Sequence, residues 1–230
     1  MKSLQLALFL KTMEAEVFAN MSAITETTAS MNITPTDLGN VGKQDAIHRD
    51  ALQRILQAAG EEPPRPCRYR AVSGDMNSLL SVGRDIKSLG VSAALAIAES
   101  VAAADQTLLP GLLSIAATEA RHSALLEAAH GSPPSPSAFE TALPEVWAYN
   151  LALRFVIPGS CQASPPLPIL PSLGYRMVDG VPAFSWDPEQ APVAQEEGKP
   201  LFIAWVNQLG PPAYTSLAMT GASNGTAALP

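Results

Sequence analysis

Charged residues are scarce in this sequence: Asp, Glu, Lys and Arg make up 15% of its 230 residues, whereas about a quarter is usual in globular proteins. The 14 basic residues are outnumbered by 21 acidic ones, and no basic run occurs. Because nucleic acids and acidic membrane surfaces bind positive patches, the composition argues against both kinds of partner. No apolar stretch reaches the roughly 18 residues that a bilayer-spanning helix needs.

Cysteine and histidine are also rare, with two cysteines and three histidines in the chain. Neither cysteine has a cysteine or histidine neighbour at zinc-finger spacing, which excludes such a module. Cys67 and Cys161 both lie in proline-containing connectors, so they are either joined in a disulfide between two loops or are two unrelated free thiols. The sequons that begin at Asn20, Asn32 and Asn224 are candidate N-glycosylation sites.

Hydrophobic residues, by contrast, amount to 47% of the chain, which excludes a disordered protein. Apolar periodicity, together with helix-ending Gly and Pro residues, predicts five helices. They lie at about residues 4–21, 41–59, 76–104, 110–130 and 145–156.

The C-terminal third has a different character. Residues 158–230 hold 12 of the 21 prolines and show no helical periodicity. The apolar run Leu201–Val206 indicates one or two strands. The sequence therefore predicts a mainly α fold, with a four-helix bundle and a fifth helix over residues 1–157. A Pro-rich extension of irregular structure and short strands, residues 158–230, is expected to pack on the bundle.

Two of the predicted helices carry an acid and a histidine on an otherwise apolar stripe. Asp45 and His48 lie three residues apart on the second helix, and Glu119 and His122 repeat this spacing on the fourth. Residues at i and i+3 project side by side from one helix face. Two such pairs on facing helices can hold a pair of metal ions inside a bundle, together with one Glu from each of the other two helices.

The other two helices do not provide these acids. The buried stripe of the first helix contains Lys11, and that of the third contains Lys87. An ammonium group has no lone pair to donate to a metal and repels a cation. The pattern therefore indicates a metal site that has lost part of its ligands.

Four segments resemble a ferritin-like family, in particular the group of fungal stress-response and sexual-development proteins that is related to plant desiccation-related proteins. The similar segments are Leu6–Phe18, Gln44–His48, Leu89–Ala93 and Thr118–His122. Each is similar to one helix of the family's bundle, and the last is the most specific. The resemblance implies a ferritin-like four-helix bundle.

The departures from the family pattern fall on its metal ligands. Members usually have a ligand Glu followed seven residues later by Tyr on the first and third helices. Here those positions hold Lys11 with Phe18, and Lys87 with Ala94. Asp45 replaces a Glu and is one methylene shorter. The family ligands that are unchanged are His48, Glu119 and His122.

Three arrangements of the lysines are compatible with this pattern. Lys11 and Lys87 can pair with Asp45 and Glu119 in the dry bundle centre, where a buried charge persists only if it is paired and hydrogen-bonded. The lysines can instead extend along the bundle edge to water. In the third arrangement, the two histidines and two acids hold a single metal. We favour the paired cluster.

The resemblance and its departures together suggest a metal-free ferritin-like protein with a stress- or development-linked binding or structural role. An alternative is an enzyme that reuses the bundle centre for acid–base or Schiff-base chemistry on a small organic substrate. A di-iron oxidative enzyme fits the two lysines less well. The candidate catalytic residues are Lys11, His48, Lys87, Glu119 and His122, and the vestigial metal positions are Asp45, His48, Glu119 and His122.

The same resemblance bears on cofactors, partners and compartment. It implies that Cys67 and Cys161 form a disulfide and that the protein is secreted, whereas a chain that truly starts at Met1 without a signal peptide would be cytoplasmic. We expect no iron or other di-metal cofactor. The partner considered is a small-molecule ligand in the bundle centre.

Overall fold

The structure is a computed structural model that describes residues 2–24, 33–72, 74–162, 165–187, 189, 199–206 and 209–230. The chain divides into two compact units, Met1–Pro168 and Ile169–Pro230. No helix in the described part of the chain is both long and apolar enough to cross a membrane.

The first unit is helical. Its five α-helices are α1 (Lys2–Ile24), α2 (Pro35–Ala58), α3 (Met76–Ala102), α4 (Leu109–Ala129) and α5 (Glu145–Ala152), with 3-10 turns at Gln106–Leu108 and Leu153–Phe155. This confirms the prediction of a mainly α fold with a four-helix bundle and a fifth helix.

Helix α2 starts six residues earlier than its apolar stripe predicts. The helix begins at Pro35 because Thr34 caps it. The Thr34 hydroxyl accepts a hydrogen bond from the backbone N–H of Asp37, and the Asp37 carboxylate accepts one from the backbone N–H of Thr34. This capping box and the proline at the first helical position fix the helix start before its apolar stripe begins.

The helices pack as two hairpins. α1 lies along α2, α3 lies along α4, and α1 also contacts α3, while α5 packs against α3 and α1. Phe9 of α1 and Tyr149 of α5 meet edge to face with 5.5 Å between ring centroids. α1 and α3 are the most deeply buried helices and supply much of the main core. Charged side chains that point inward from α1 and α3 are therefore enclosed on all sides.

A disulfide closes the first unit. Cys67 precedes α3, and Cys161 follows the 3-10 turn after α5; their Cα atoms are 4.3 Å apart, across 94 positions of sequence. Beside the bond, Tyr69 and Val156 form an antiparallel bridge, with backbone hydrogen bonds on both sides. The predicted disulfide is confirmed.

The second unit contains short antiparallel strands. They are β1 (Leu173–Val178), β2 (Val181–Trp186), β3 (Phe202–Trp205), β4 (Ala213–Ser216), β5 (Ala218–Gly221) and β6 (Asn224–Thr226). Four form a sheet in the order β1-β2-β6-β5, and β3 pairs with β4. A small core of Phe184, Ile203 and Ala227 serves this unit.

The expectation of one or two strands was too low for the second unit. Every residue of β1 is exposed, so none of its side chains belongs to the small core of the second unit. The other strands have six residues or fewer. The packing of residues 158–230 on the bundle stays a prediction.

Candidate functional site

Five ionisable side chains meet in the centre of the bundle, and we call them the central ion cluster. They are Lys11 and Glu14 of α1, Asp45 of α2, Lys87 of α3 and Glu119 of α4. The side chain of Lys11 is 5% exposed and the other four are 0% exposed. The cluster is therefore shielded from bulk water, where charged groups remain charged only if they neutralise one another.

Lys87 is the centre of this cluster. Its Nζ donates to both carboxylate oxygens of Asp45, at 2.7 and 2.6 Å. The same nitrogen donates to Glu119 Oε2 at 3.0 Å and to Glu14 Oε2. It also lies 5.0 Å from the centre of the Phe18 ring, within cation–π range. One ammonium group on α3 thus joins carboxylates from the other three helices.

Lys11 completes the pairing from the side of α1. Its Nζ donates to the two carboxylate oxygens of Glu14 at 2.9 and 2.8 Å, and it lies 2.8 Å from Glu119 Oε2. Both lysines are therefore paired inside the bundle, as expected from the sequence, and neither extends along the bundle edge to water.

Glu14 is a member of the cluster that the sequence analysis did not assign. It lies on the stripe of α1 three residues after Lys11, and its side chain is fully buried. The sequence feature that indicates its role is the i, i+3 spacing of the opposite charges of Lys11 and Glu14 on the buried face of α1.

Gly90 of α3 makes room for two of the carboxylates. A Cβ atom at this position would lie 2.8 Å from Glu119 Oε2 and 2.9 Å from Glu14 Oε1. Both distances are shorter than real Cβ contacts allow. The absence of a side chain at Gly90 therefore lets the two acids approach α3 closely.

Replacing Gly90 by alanine should destabilise the protein, even though alanine is the better helix former by up to about 1 kcal/mol. Gly111 of α4 is the matched control, because a Cβ there meets nothing within 4 Å. Gly111→Ala should stabilise by roughly 0.4–1 kcal/mol. Urea unfolding of both variants measures the two signs. Equal stabilisation by both substitutions would show that the cluster moves freely to accommodate a side chain at residue 90.

The two histidines border the cluster without hydrogen-bonding to it. His48 Nδ1 and His122 Nδ1 each lie 3.6 Å from Glu119 Oε1, and they lie 3.9 and 4.0 Å from Asp45 Oδ1. Among the described residues, Glu119 Oε1 and the two Nδ1 atoms are buried without a hydrogen-bond partner.

Gln44 is a second residue that the sequence analysis did not assign. Its Oε1 atom lies 2.8 Å from His122 Nε2. This hydrogen bond joins the imidazole of His122 on α4 to the amide of Gln44 on α2.

Burial and charge shift the pKa values of the cluster in different directions. Burial, followed by the nearby Glu14 carboxylate, raises the pKa of Asp45 to about 9. Burial also raises the pKa of Glu14, and the Glu119 carboxylate adds to this effect. For Glu119, burial alone would raise the pKa, but the ammonium groups of Lys11 and Lys87 hold it well below its ordinary value.

Lys87 is likewise held in its charged form. Burial alone would lower the pKa of this lysine, but attraction by Glu14, Glu119 and Asp45 outweighs it and raises the pKa above the ordinary value. Two ammonium groups face three carboxyl groups, so the cluster is neutral when one carboxyl carries a proton. The raised pKa values of Asp45 and Glu14 indicate that these two acids share the proton at neutral pH.

Comparison with known families agrees with this architecture. Residues 1–132 match the ferritin-like domain family. The chain belongs to this family. No curated protein sequence matches the chain. The matched region contains α1 to α4 and all five residues of the central ion cluster, so the ferritin-like domain is the part of the chain that holds the site.

The residues present in this ferritin-like bundle do not fit a pair of metal ions. Asp45, His48 and Glu119 do offer ligand atoms within 4.8 Å of one another. However, Lys87 Nζ already lies 2.6–3.0 Å from oxygens of Asp45 and Glu119. Metal–oxygen bonds of about 2.0–2.2 Å would bring an ion bound to these oxygens into contact with the ammonium group.

The structure brings together all six positions that the sequence analysis compared with the family's metal ligands: Lys11, Asp45, His48, Lys87, Glu119 and His122. It places the glycosylation candidates elsewhere. Asn20 is exposed on α1, Asn224 is exposed on β6, and Asn32 lies outside the described residues.

Proposed function

We propose that this ferritin-like protein contains no metal centre and has a binding or structural role, linked to stress or development as in the group that its sequence resembles. The observation that carries the proposal is the position of Lys87. Its ammonium group is bonded to carboxylates of three helices, and these carboxylates would otherwise be free to bind metal. A bundle with this centre lacks the basis for di-iron oxidative chemistry.

The structure gives less support to the alternative of an enzyme that works through a lysine. A Schiff-base or general-base lysine needs a lowered pKa, whereas the carboxylates around Lys87 raise its pKa. The cavity that borders Lys11 and Gly90 has a volume of about 20 Å³, which is room for about one water molecule. An organic substrate would have to displace the ion pairs to reach the lysines.

An extracellular location is part of the proposal. Disulfides persist in oxidising compartments and are rare in the cytosol, and the Cys67–Cys161 bond connects two distant parts of the first unit. The exposed sequons at Asn20 and Asn224 are compatible with passage through a secretory pathway.

The proposal predicts that the purified protein retains no stoichiometric iron, manganese or zinc. The protein would be incubated with each divalent metal alone, dialysed and measured by elemental analysis. The assay should find far less than one ion per chain, because two ammonium groups hold the three central acids. Consumption of oxygen on addition of Fe²⁺ should equal that of a buffer blank.

A ferritin-like di-iron protein carried through the same dialysis is the positive control. If this chain retains one or more ions per chain after dialysis, the proposed function is wrong.

A further inference from the structure

The geometry points to Lys87 as a built-in replacement for a metal ion: its ammonium group and a divalent cation are alternative occupants of one site in the bundle. The inference rests on the proposed function and extends it, because it assigns the exclusion of metal to one side chain. It also identifies the ligands that would bind a cation if that side chain were changed.

The first argument is the set of partners around Lys87 Nζ. The nitrogen contacts oxygens of Glu14, Asp45 and Glu119, which come from α1, α2 and α4. Because Lys87 itself belongs to α3, a single cationic atom links the four helices of the bundle. A metal ion held by ligands from all four helices would make the same links.

The second argument is the fit of this site to the ammonium group. Within the described part of the chain, Lys87 donates only to carboxylate oxygens, and its side chain is completely buried. Gly90, one helical turn further along α3, leaves the space into which Glu14 and Glu119 extend. All three acids therefore meet at Lys87 Nζ, and Glu14 and Glu119 are also paired with Lys11.

The third argument concerns the buried carboxylate and imidazole atoms that lie beside the site. Glu119 Oε1, His48 Nδ1 and His122 Nδ1 are buried polar atoms that have no hydrogen-bond partner among the described residues. Each Nδ1 atom lies 3.6 Å from Glu119 Oε1. Without the ammonium group, three carboxylates and two imidazoles would converge on one volume. Imidazole and carboxylate are ligands that suit Zn²⁺, Fe²⁺ and Mn²⁺.

The test removes the Lys87 ammonium group and supplies a divalent metal ion in its place. Lys87→Glu replaces the ammonium group by a carboxylate, and Lys43→Glu makes the same change at an exposed position of α2. Each protein would be refolded with and without Mn²⁺, Zn²⁺ or Fe²⁺ supplied alone. Elemental analysis after dialysis and the thermal midpoint, Tm, are the two readouts.

We expect the wild type and Lys43→Glu to retain no metal and to show the same Tm with and without it. Lys87→Glu should melt at a lower temperature without metal, because four acids then face one ammonium group. It should retain roughly one ion per chain, and its Tm should rise by about 5–10 °C at a metal concentration 100-fold above Kd. Adding His48→Ala and His122→Ala to Lys87→Glu should abolish the retention.

Lys87→Met covers the case in which Lys87→Glu fails to fold, since it removes the ammonium group without adding a fourth acid. If Lys87→Met is helical by circular dichroism and neither retains metal nor gains Tm from it, the inference is wrong. Retention that survives loss of both histidines would also overturn it. The proposed function fails separately, through metal retained by the wild type.

Discussion

Replacing Lys87 by methionine should lower the free energy of unfolding by about 3–5 kcal/mol, which is the usual result of removing one partner of a buried ion pair. Methionine fills a similar volume and keeps the unbranched stem, so the loss comes mainly from charge. The substitution leaves Asp45, Glu14 and Glu119 in a dry environment with only Lys11 to compensate them. Chemical denaturation of the wild type and the variant at neutral pH measures the difference.

A double-mutant cycle with Glu119→Gln tests the electrostatic origin of this effect. Once Lys87 is absent, removing the charge of Glu119 should restore part of the lost stability. Lys43→Met is the control for loss of a lysine at an exposed position, and it should change stability by no more than about 0.5 kcal/mol. A small effect of Lys87→Met, equal to that of Lys43→Met, would mean that the ion pairs contribute nothing net to folding.

Removing the disulfide should cost the first unit roughly 4–5 kcal/mol in the chain-entropy model, less any strain in the native bond. The large value follows from the 94 positions that separate Cys67 from Cys161, because the bond restricts the unfolded chain over this whole stretch. The double variant Cys67→Ala with Cys161→Ala would be compared with the wild type by urea unfolding, with the slope of the transition reported as well.

Unfolding of the wild type in the presence of a reductant is the matching control, and it should give the same loss as the double variant. Before reduction, thiol titration of the denatured wild type should find no free thiol. If the double variant is as stable as the wild type, the backbone hydrogen bonds around Tyr69 and Val156 hold the crossover without help from the bond.

The sequence could predict those features of the bundle centre for which a short pattern has a single structural explanation. The pairs Asp45–His48 and Glu119–His122 stand out because polar residues interrupt an apolar stripe, and the structure brings both pairs to the bundle centre. The same argument applies to Lys11 and Lys87. Their pairing could be expected because a buried ammonium group needs a counter-charge.

The parts that could not be predicted depend on distances across the bundle. The spacing along one helix does not show that Glu14 Oε2 reaches Lys87 on another helix, or that Gly90 is needed to admit two carboxylates. The contact of Gln44 with His122 spans 78 positions of sequence. The number of strands in the second unit was underestimated because each has six residues or fewer and most of their residues are exposed.

Because the central cation is a side chain of the protein, the stability of the fold should not depend on the supply of metal ions. A bundle that needs a metal ion gains stability only in proportion to the logarithm of free metal, so scarcity or a chelator weakens it. Lys87 is part of the chain, so its ammonium group is present in every molecule as soon as translation ends. The fold should therefore be equally stable under iron starvation and iron excess, and it should need no metal-delivery step before it matures.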